Sequence, residues 1–181
     1  MRLVAASLLL LGLALPAEAA LKNGTAAPDF TAQATLGGKE FEFSLADALK
    51  RGPVVLYFYP AAFTKGCTIE AHDFAEAIDK YKALGATVIG VSGDNIATLD
   101  KFSVSECQSK FAVAADPNRK VMKAYDSVLV PLTSYASRTS YVITPDGKVI
   151  YSYTALDPDG HVANTMNALA AWRTAHPMTE K

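Results

Sequence analysis

An α/β domain is predicted by three features of the sequence. Residues 54–59 (Val-Val-Leu-Tyr-Phe-Tyr) and 87–91 (Thr-Val-Ile-Gly-Val) are short, continuous, β-rich apolar runs, the mark of strands buried on both faces. Between them, Cys67, Ala71, Phe74, Ala75, Ile78 and Tyr81 fall at helical spacing, with Glu70, Asp73, Glu76 and Lys80 in the gaps, so residues 65–83 form an amphipathic helix. Residues 139–143 and 148–153 then make a hairpin around Pro145-Asp146-Gly147, and residues 162–174 a closing helix. Strand–helix–strand order gives a parallel core, and the hairpin adds antiparallel strands to it. The expectation is a central mixed β-sheet flanked by helices.

The other elements follow in order. Met1-Arg2 is a minimal positive start, residues 3–15 are apolar, and Ala17-Glu18-Ala19 is a small-x-small cleavage site after Pro16. As a helix the apolar stretch spans only about 20 Å, too short for a ~30 Å hydrocarbon core. Residues 1–19 therefore read as a cleaved export signal of bacterial type, and 20–181 as one domain, periplasmic or extracellular, with no stable membrane association after cleavage. Residues 23–28 are loop-like. Residues 30–35 and 40–43 form an N-terminal hairpin extension around Leu36-Gly37-Gly38-Lys39, and Ser44 caps a short helix over 45–50 that Gly52-Pro53 stops. Gly85 closes the long helix. Asp94 or Asn95 caps a helix running to about residue 107, residues 111–113 are a short strand before Asp116-Pro117, and 121–125 are a helical turn.

Composition narrows the function. Across 181 residues, 17 basic and 18 acidic side chains leave a net charge of −1, which argues against nucleic acid as a partner. Three histidines and two cysteines are too few and too scattered for a structural zinc site, and neither a metal nor another cofactor is expected. In an oxidising compartment a disulfide can persist, so two cysteines acquire meaning.

The informative stretch is Tyr57-Phe58-Tyr59-Pro60-Ala61-Ala62-Phe63-Thr64-Lys65-Gly66-Cys67-Thr68-Ile69-Glu70. A buried strand delivers a loop, and the loop feeds a helix with Thr64 at the cap position and Cys67 at its third residue. The unpaired N–H groups and positive dipole end there favour a thiolate, as does Lys65 nearby. The structural alternative is a cysteine packing as a small hydrophobe, but its place at a helix start after a strand favours chemistry.

Pro60-x-x-x-Thr64-x-x-Cys67 resembles the active-site signature of the peroxiredoxins. The wider run, with Phe58-Tyr59, Phe63, Gly66, Thr68 and Glu70, is most similar to the bacterioferritin comigratory protein, or peroxiredoxin Q, subgroup. Val88-Ile89-Gly90-Val91-Ser92 and Arg138-Thr139-Ser140-Tyr141-Val142-Ile143 extend the resemblance. It implies a thioredoxin-like fold and a thiol peroxidase acting on hydrogen peroxide and small organic hydroperoxides. Cys67 would be the peroxidatic cysteine, Thr64 would aim its hydroxyl at the thiolate and the incoming oxygen, and Pro60 would shield the pocket. Arg138 would stabilise the thiolate and the departing oxygen, with Glu70 orienting it or, alternatively, merely facing solvent. Many subgroup members carry a resolving cysteine five residues after the first; His72 stands there, a half-exposed helix histidine or a proton donor. Cys107 becomes the candidate resolving residue, forming an intramolecular disulfide, although on a helical wheel it lies about 20° from Ile96 and so fits a core-facing thiol equally.

The implied partners are a peroxide and a thioredoxin-type or other thiol reductant, with the protein a monomer or weak homodimer. Two alternatives stay open: a one-cysteine peroxidase using an external thiol, and a non-catalytic thioredoxin-fold binding module stapled by a Cys67–Cys107 bond. The lack of any C-x-x-C pair opposes a thiol–disulfide oxidoreductase, and the motif opposes a glutathione-peroxidase-like enzyme. His161 and His176 read as surface residues. N-terminal sequencing of the exported protein should place its start within about two residues of Ala20; a full-length, membrane-retained chain would overturn the signal assignment.

Overall fold

Two glycine-linked strands, β1 (Thr31–Leu36) and β2 (Lys39–Ser44), open the fold as the expected hairpin. The computed structural model describes residues 20–129, 133 and 135–178; the expected signal segment, 1–19, lies outside them. Helix α1 (Leu45–Leu49) follows, with the Ser44 hydroxyl accepting from the Asp47 N–H at 3.2 Å. Then come β3 (Val54–Phe58), α2 (Lys65–Ala83), β4 (Thr87–Ser92), α3 (Ile96–Ser105), β5 (Ala112–Ala115) and α4 (Lys120–Ala124). Strands β6 (Thr139–Ile143) and β7 (Val149–Thr154) and helix α5 (His161–Ala175) complete the chain.

The seven described strands form one sheet in the order β2-β1-β5-β4-β3-β6-β7. Pairs β3–β4 and β4–β5 are parallel; all others are antiparallel. The hairpin is therefore not appended to the sheet but is its edge, joined through β1 to β5. Alternation along β3 assigns each face. Val55, Tyr57 and Tyr59 pack with α2, α3 and α5, whereas Val54, Leu56 and Phe58 pack with α1 and α4.

Helix α3 ends two residues before Cys107. Gln108 and Ser109 both take left-handed backbone (φ 52° and 55°), which no helix can continue. The N–H groups of Glu106 and Cys107 converge on the Phe102 carbonyl, at 2.9 and 3.1 Å, so Cys107 sits in the turn that leaves the helix. The strand expected over 111–113 begins one residue later, with Phe111 buried just ahead of it.

Gly90 lies directly across from Tyr57 in the β3–β4 register. A Cβ there would come within 2.7 Å of the tyrosine ring, so the strand needs a residue without a side chain at this point. Gly90→Ala should lower the unfolding free energy by about 1–3 kcal/mol, the range for overpacking a dense core. Urea unfolding measures this, and an unchanged midpoint would refute it.

Candidate active site

The end of β3 sets the site. Tyr59 N–H still bonds the Val91 carbonyl (3.1 Å), and the half-buried Pro60 then turns the chain out of the sheet. Asp94 Oδ2 accepts from the Ala62 N–H and from the Ser92 hydroxyl, both at 2.8 Å, tying the loop to the end of β4. Asp94 thus does not cap α3; Asn95 does, accepting from the Thr98 N–H at 2.9 Å. Phe63 reverses the loop with a left-handed backbone (φ 63°), a strain on the order of 1–2 kcal/mol. Its ring packs edge-on against Phe102 at 5.2 Å. Thr64 then takes the extended N-cap conformation and α2 begins.

Cys67, third residue of α2, is 1% exposed. Arg138 reaches it from the other end of the sequence because β6 runs antiparallel to β3 with Thr139 opposite Phe58. That register sets the start of β6 beside the end of β3. Each guanidinium nitrogen has a partner: Nη2 lies 3.5 Å from Cys67 Sγ, Nη1 pairs with Glu70 Oε2, and Nε donates to the Leu156 carbonyl at 2.9 Å. Gly66 makes the approach possible, since a Cβ there would stand 2.9 Å from Nη2. Arg138 and Glu70 are both buried, so Glu70 is not a solvated helix-face carboxylate.

Burial pushes the Glu70 carboxyl up, and the charge and hydrogen bond of Arg138 pull it back toward the carboxylate. Burial opposes the charge on Arg138, but Glu70 and Cys67 overcome this and its value is raised. The Thr64 hydroxyl, expected to aim at Cys67, instead donates to the Ala61 carbonyl at 3.0 Å and is exposed to solvent. The hydroxyl thus finds its acceptor within its own loop. Pro60 stays at the strand end, one residue beyond the last ladder bond.

The structure corrects the reading of His161. It is fully buried, with Nδ1 2.8 Å from the Ser140 hydroxyl and 3.6 Å from Glu70 Oε1, and Nε2 3.0 Å from the Ala155 carbonyl. Ser140 was the available signal, because a hydroxyl in a strand buried on both faces requires a partner. His176 is exposed, as expected, and stacks on Trp172. His72 is half-exposed and pairs with Glu106 Oε2 at 3.1 Å. Cys107 is a free thiol like Cys67, with no exposed surface, and burial pushes it far up from its ordinary value. A groove of about 630 Å³ between α2 and α5, lined by Asp73, Glu76, Asp159 and Met166, holds neither cysteine.

A profile of the AhpC/TSA family matches residues 23–152. The chain belongs to that family, the peroxiredoxins. It is 34% identical over 82% of its length to the chloroplastic peroxiredoxin Q of rice (Oryza sativa subsp. japonica), covering 67% of that protein. To the chloroplastic peroxiredoxin Q of Arabidopsis thaliana it is 35% identical over 84% of its length, covering 69% of that chain. The crystal structure of peroxidoxin BcpB from Mycobacterium tuberculosis superposes with a TM-score of 0.76 at 28% identity, over 83% of this chain and 97% of that one. The peroxiredoxin is thus a thiol peroxidase with a thioredoxin-like fold.

A buried histidine gives this peroxiredoxin a pH signature. Burial holds His161 down to about 4 from an ordinary 6.5, with Arg138 adding to the effect and the Ala155 carbonyl opposing it. The unfolded chain protonates first on acidification, so the stability due to the neutral ring is complete above pH 6.5 and is lost as pH falls toward 4. Relative to His161→Gln, the wild type should lose on the order of 2–3 kcal/mol between pH 7 and 4, at ~1.4 kcal/mol per unit. Urea unfolding across that range measures the difference, and parallel curves would exclude a buried neutral imidazole.

Proposed function

We propose that Cys67 is the peroxidatic cysteine and that Arg138 is its principal electrostatic partner. One observation carries this reading: a buried guanidinium, held on its other edges by Glu70 and Leu156, brings one N–H edge to 3.5 Å from Sγ. The Cys67 thiolate attacks one oxygen of hydrogen peroxide or a small organic hydroperoxide. The S–O bond forms as the O–O bond breaks, leaving Cys67 as a sulfenic acid, and the departing oxygen takes a proton and leaves as water or an alcohol. Arg138 favours the thiolate before the attack and the charge on the leaving oxygen during it. Glu70 fixes the guanidinium, and Pro60 limits water at the pocket. Thr64 contributes to the peroxide's binding by rotating its hydroxyl away from the Ala61 carbonyl.

The sulfenic acid then condenses with the Cys107 thiol, releasing water and forming an intramolecular disulfide, which a thioredoxin-type dithiol reduces by exchange. Both cysteines are buried in the same hydrophobic cluster, so Cys107 must leave it first. The turn that holds it is primed for this, because two consecutive left-handed non-glycine residues cost about 1–3 kcal/mol each. The complete burial of Cys107 favours a second reading, in which an external thiol resolves Cys67 directly. Export to the periplasm, supported by residues 1–19, is part of the proposal.

Arg138→Met should slow the reaction of Cys67 with hydrogen peroxide by about 10²-fold, the scale of losing one preorganised charge donor. Thr64→Val should slow it less. Stopped-flow kinetics on the reduced protein reads both, and an unchanged rate in Arg138→Met would remove the arginine from the mechanism. Cys107→Ser should keep the first reaction, lose turnover with a thioredoxin-type donor, and accumulate sulfinic acid at Cys67 by mass spectrometry. If it turns over at the wild-type rate, the one-cysteine cycle is correct.

A further inference from the structure

We propose that His161 is a positioning residue for peroxide reduction, fixing Arg138 through both of the groups that hold the guanidinium. The inference rests on the reading that Arg138 acts on Cys67. Arg138 is supported by Glu70 at Nη1 and by the Leu156 carbonyl at Nε. The imidazole touches the first support and the residue next to the second.

Toward Leu156, His161 Nε2 lies 3.0 Å from the Ala155 carbonyl. A carbonyl only accepts, so Nε2 carries the proton, and Nδ1 accepts from the Ser140 hydroxyl at 2.8 Å. One tautomer satisfies both contacts. Ala155 N–H in turn donates to the Arg138 carbonyl at 3.2 Å. Residue 155 is therefore pinned between the arginine's backbone and the histidine ring. The Leu156 side chain is 65% exposed, so side-chain packing does not hold the carbonyl that Arg138 needs. The hydrogen bonds of Ala155 do.

Toward Glu70, Nδ1 stands 3.6 Å from Oε1, the buried carboxyl oxygen that has no hydrogen bond. The ring occupies the space into which that oxygen would swing if Oε2 left Arg138. Tyr153 packs edge-on against the imidazole at 4.8 Å and keeps it there. The charged groups around the ring are Glu70 and Arg138 from α2 and the start of β6, and Asp157 from the loop before α5. Burial and Arg138 keep the ring neutral against the pull of Asp157, which agrees with the tautomer read from the hydrogen bonds.

A double-mutant cycle on the full mature protein tests the role, with the second-order rate constant for Cys67 and hydrogen peroxide as the readout. His161→Leu should lower it about tenfold, and in an Arg138→Met background by no more than about twofold, because the loss acts through the arginine. Equal losses in both backgrounds, or a wild-type rate for His161→Leu, would overturn the proposal. If Arg138→Met itself reacts at the wild-type rate, the arginine reading fails and the histidine role with it. Should His161→Leu not fold, two polar variants carry the test. His161→Gln retains a donor for the Ala155 carbonyl and should recover to within about threefold of wild type, whereas His161→Asn, too short to reach it, should stay about tenfold slow. Equal rates for the two would overturn it.

Discussion

A guanidinium and a carboxylate taken out of water each lose several kcal/mol of hydration, and the Arg138–Glu70 pair recovers this only where geometry and additional hydrogen bonds are complete. Arg138 meets that condition, with Nε, Nη1 and Nη2 all directed at acceptors. Glu70 does not, since Oε1 lacks a hydrogen bond and faces an imidazole nitrogen instead. The imbalance tells what the pair is for. Two well-packed apolar side chains would serve stability as well or better, so the ions are better explained by the field they create at Cys67. Glu70 binds Nη1 and leaves Nη2 for the sulfur, 3.5 Å away, so a positive group stands next to Sγ while the pair as a whole is balanced.

Local pattern carried the framework of the fold. The 19-residue helix Lys65–Ala83 and strand Thr139–Ile143 begin and end where periodicity and burial place them, because their apolar spacing is dense and their ends are punctuated by Pro60, Gly85 and Pro145. The turn at Cys107 was not legible, because nothing in Gln108-Ser109 announces left-handed backbone. The thiol position was legible as strand–loop–helix chemistry. Arg138 was not: its closeness to Cys67 follows from the Phe58–Thr139 register, a long-range pairing that no local pattern encodes, and only the resemblance pointed to it. His161 reads as a surface residue in the sequence, where it stands just before the closing helix expected over 162–174. In fact Gly160 turns the chain so that the ring folds back under Tyr153 and over Ser140.

The two cysteines occupy opposite kinds of environment within one cluster. Cys67 sits at a helix start with a cation beside it and a strained loop before it. Cys107 is surrounded by apolar groups and by the rings of Tyr57 and Tyr59, both also buried, and among the described residues the charge that acts on it is the negative one of Glu106. The first environment suits the proposed nucleophile, and the second suits the proposed resolving thiol, which must stay unreactive until it is released. Phe102 connects them. Its ring stacks on Tyr59 at 5.5 Å and meets Phe63 edge-on in the active-site loop, while its carbonyl anchors the turn of Cys107.

In the proposed cycle, that connection gives the opening step a direction. Oxidation of Cys67 adds an oxygen to a sulfur that is almost completely enclosed, so the first turn of α2 and the loop before it must yield to accommodate it. Phe63, already in a left-handed conformation, is the part of that loop with least to lose by moving. When its ring leaves Phe102, the end of α3 loses an aromatic contact on the side that carries Cys107. That segment is still held by the Phe102 carbonyl, by the Ser109 N–H on the Ser103 carbonyl and the Lys110 N–H on the Cys107 carbonyl (both 2.9 Å), by the Tyr59 stack and by the His72–Glu106 pair, while backbone strain at Gln108 and Ser109 favours release. If Cys67 and Cys107 act as proposed, chemistry at the first cysteine thus weakens one of the contacts that hold the second, through the volume of one oxygen atom.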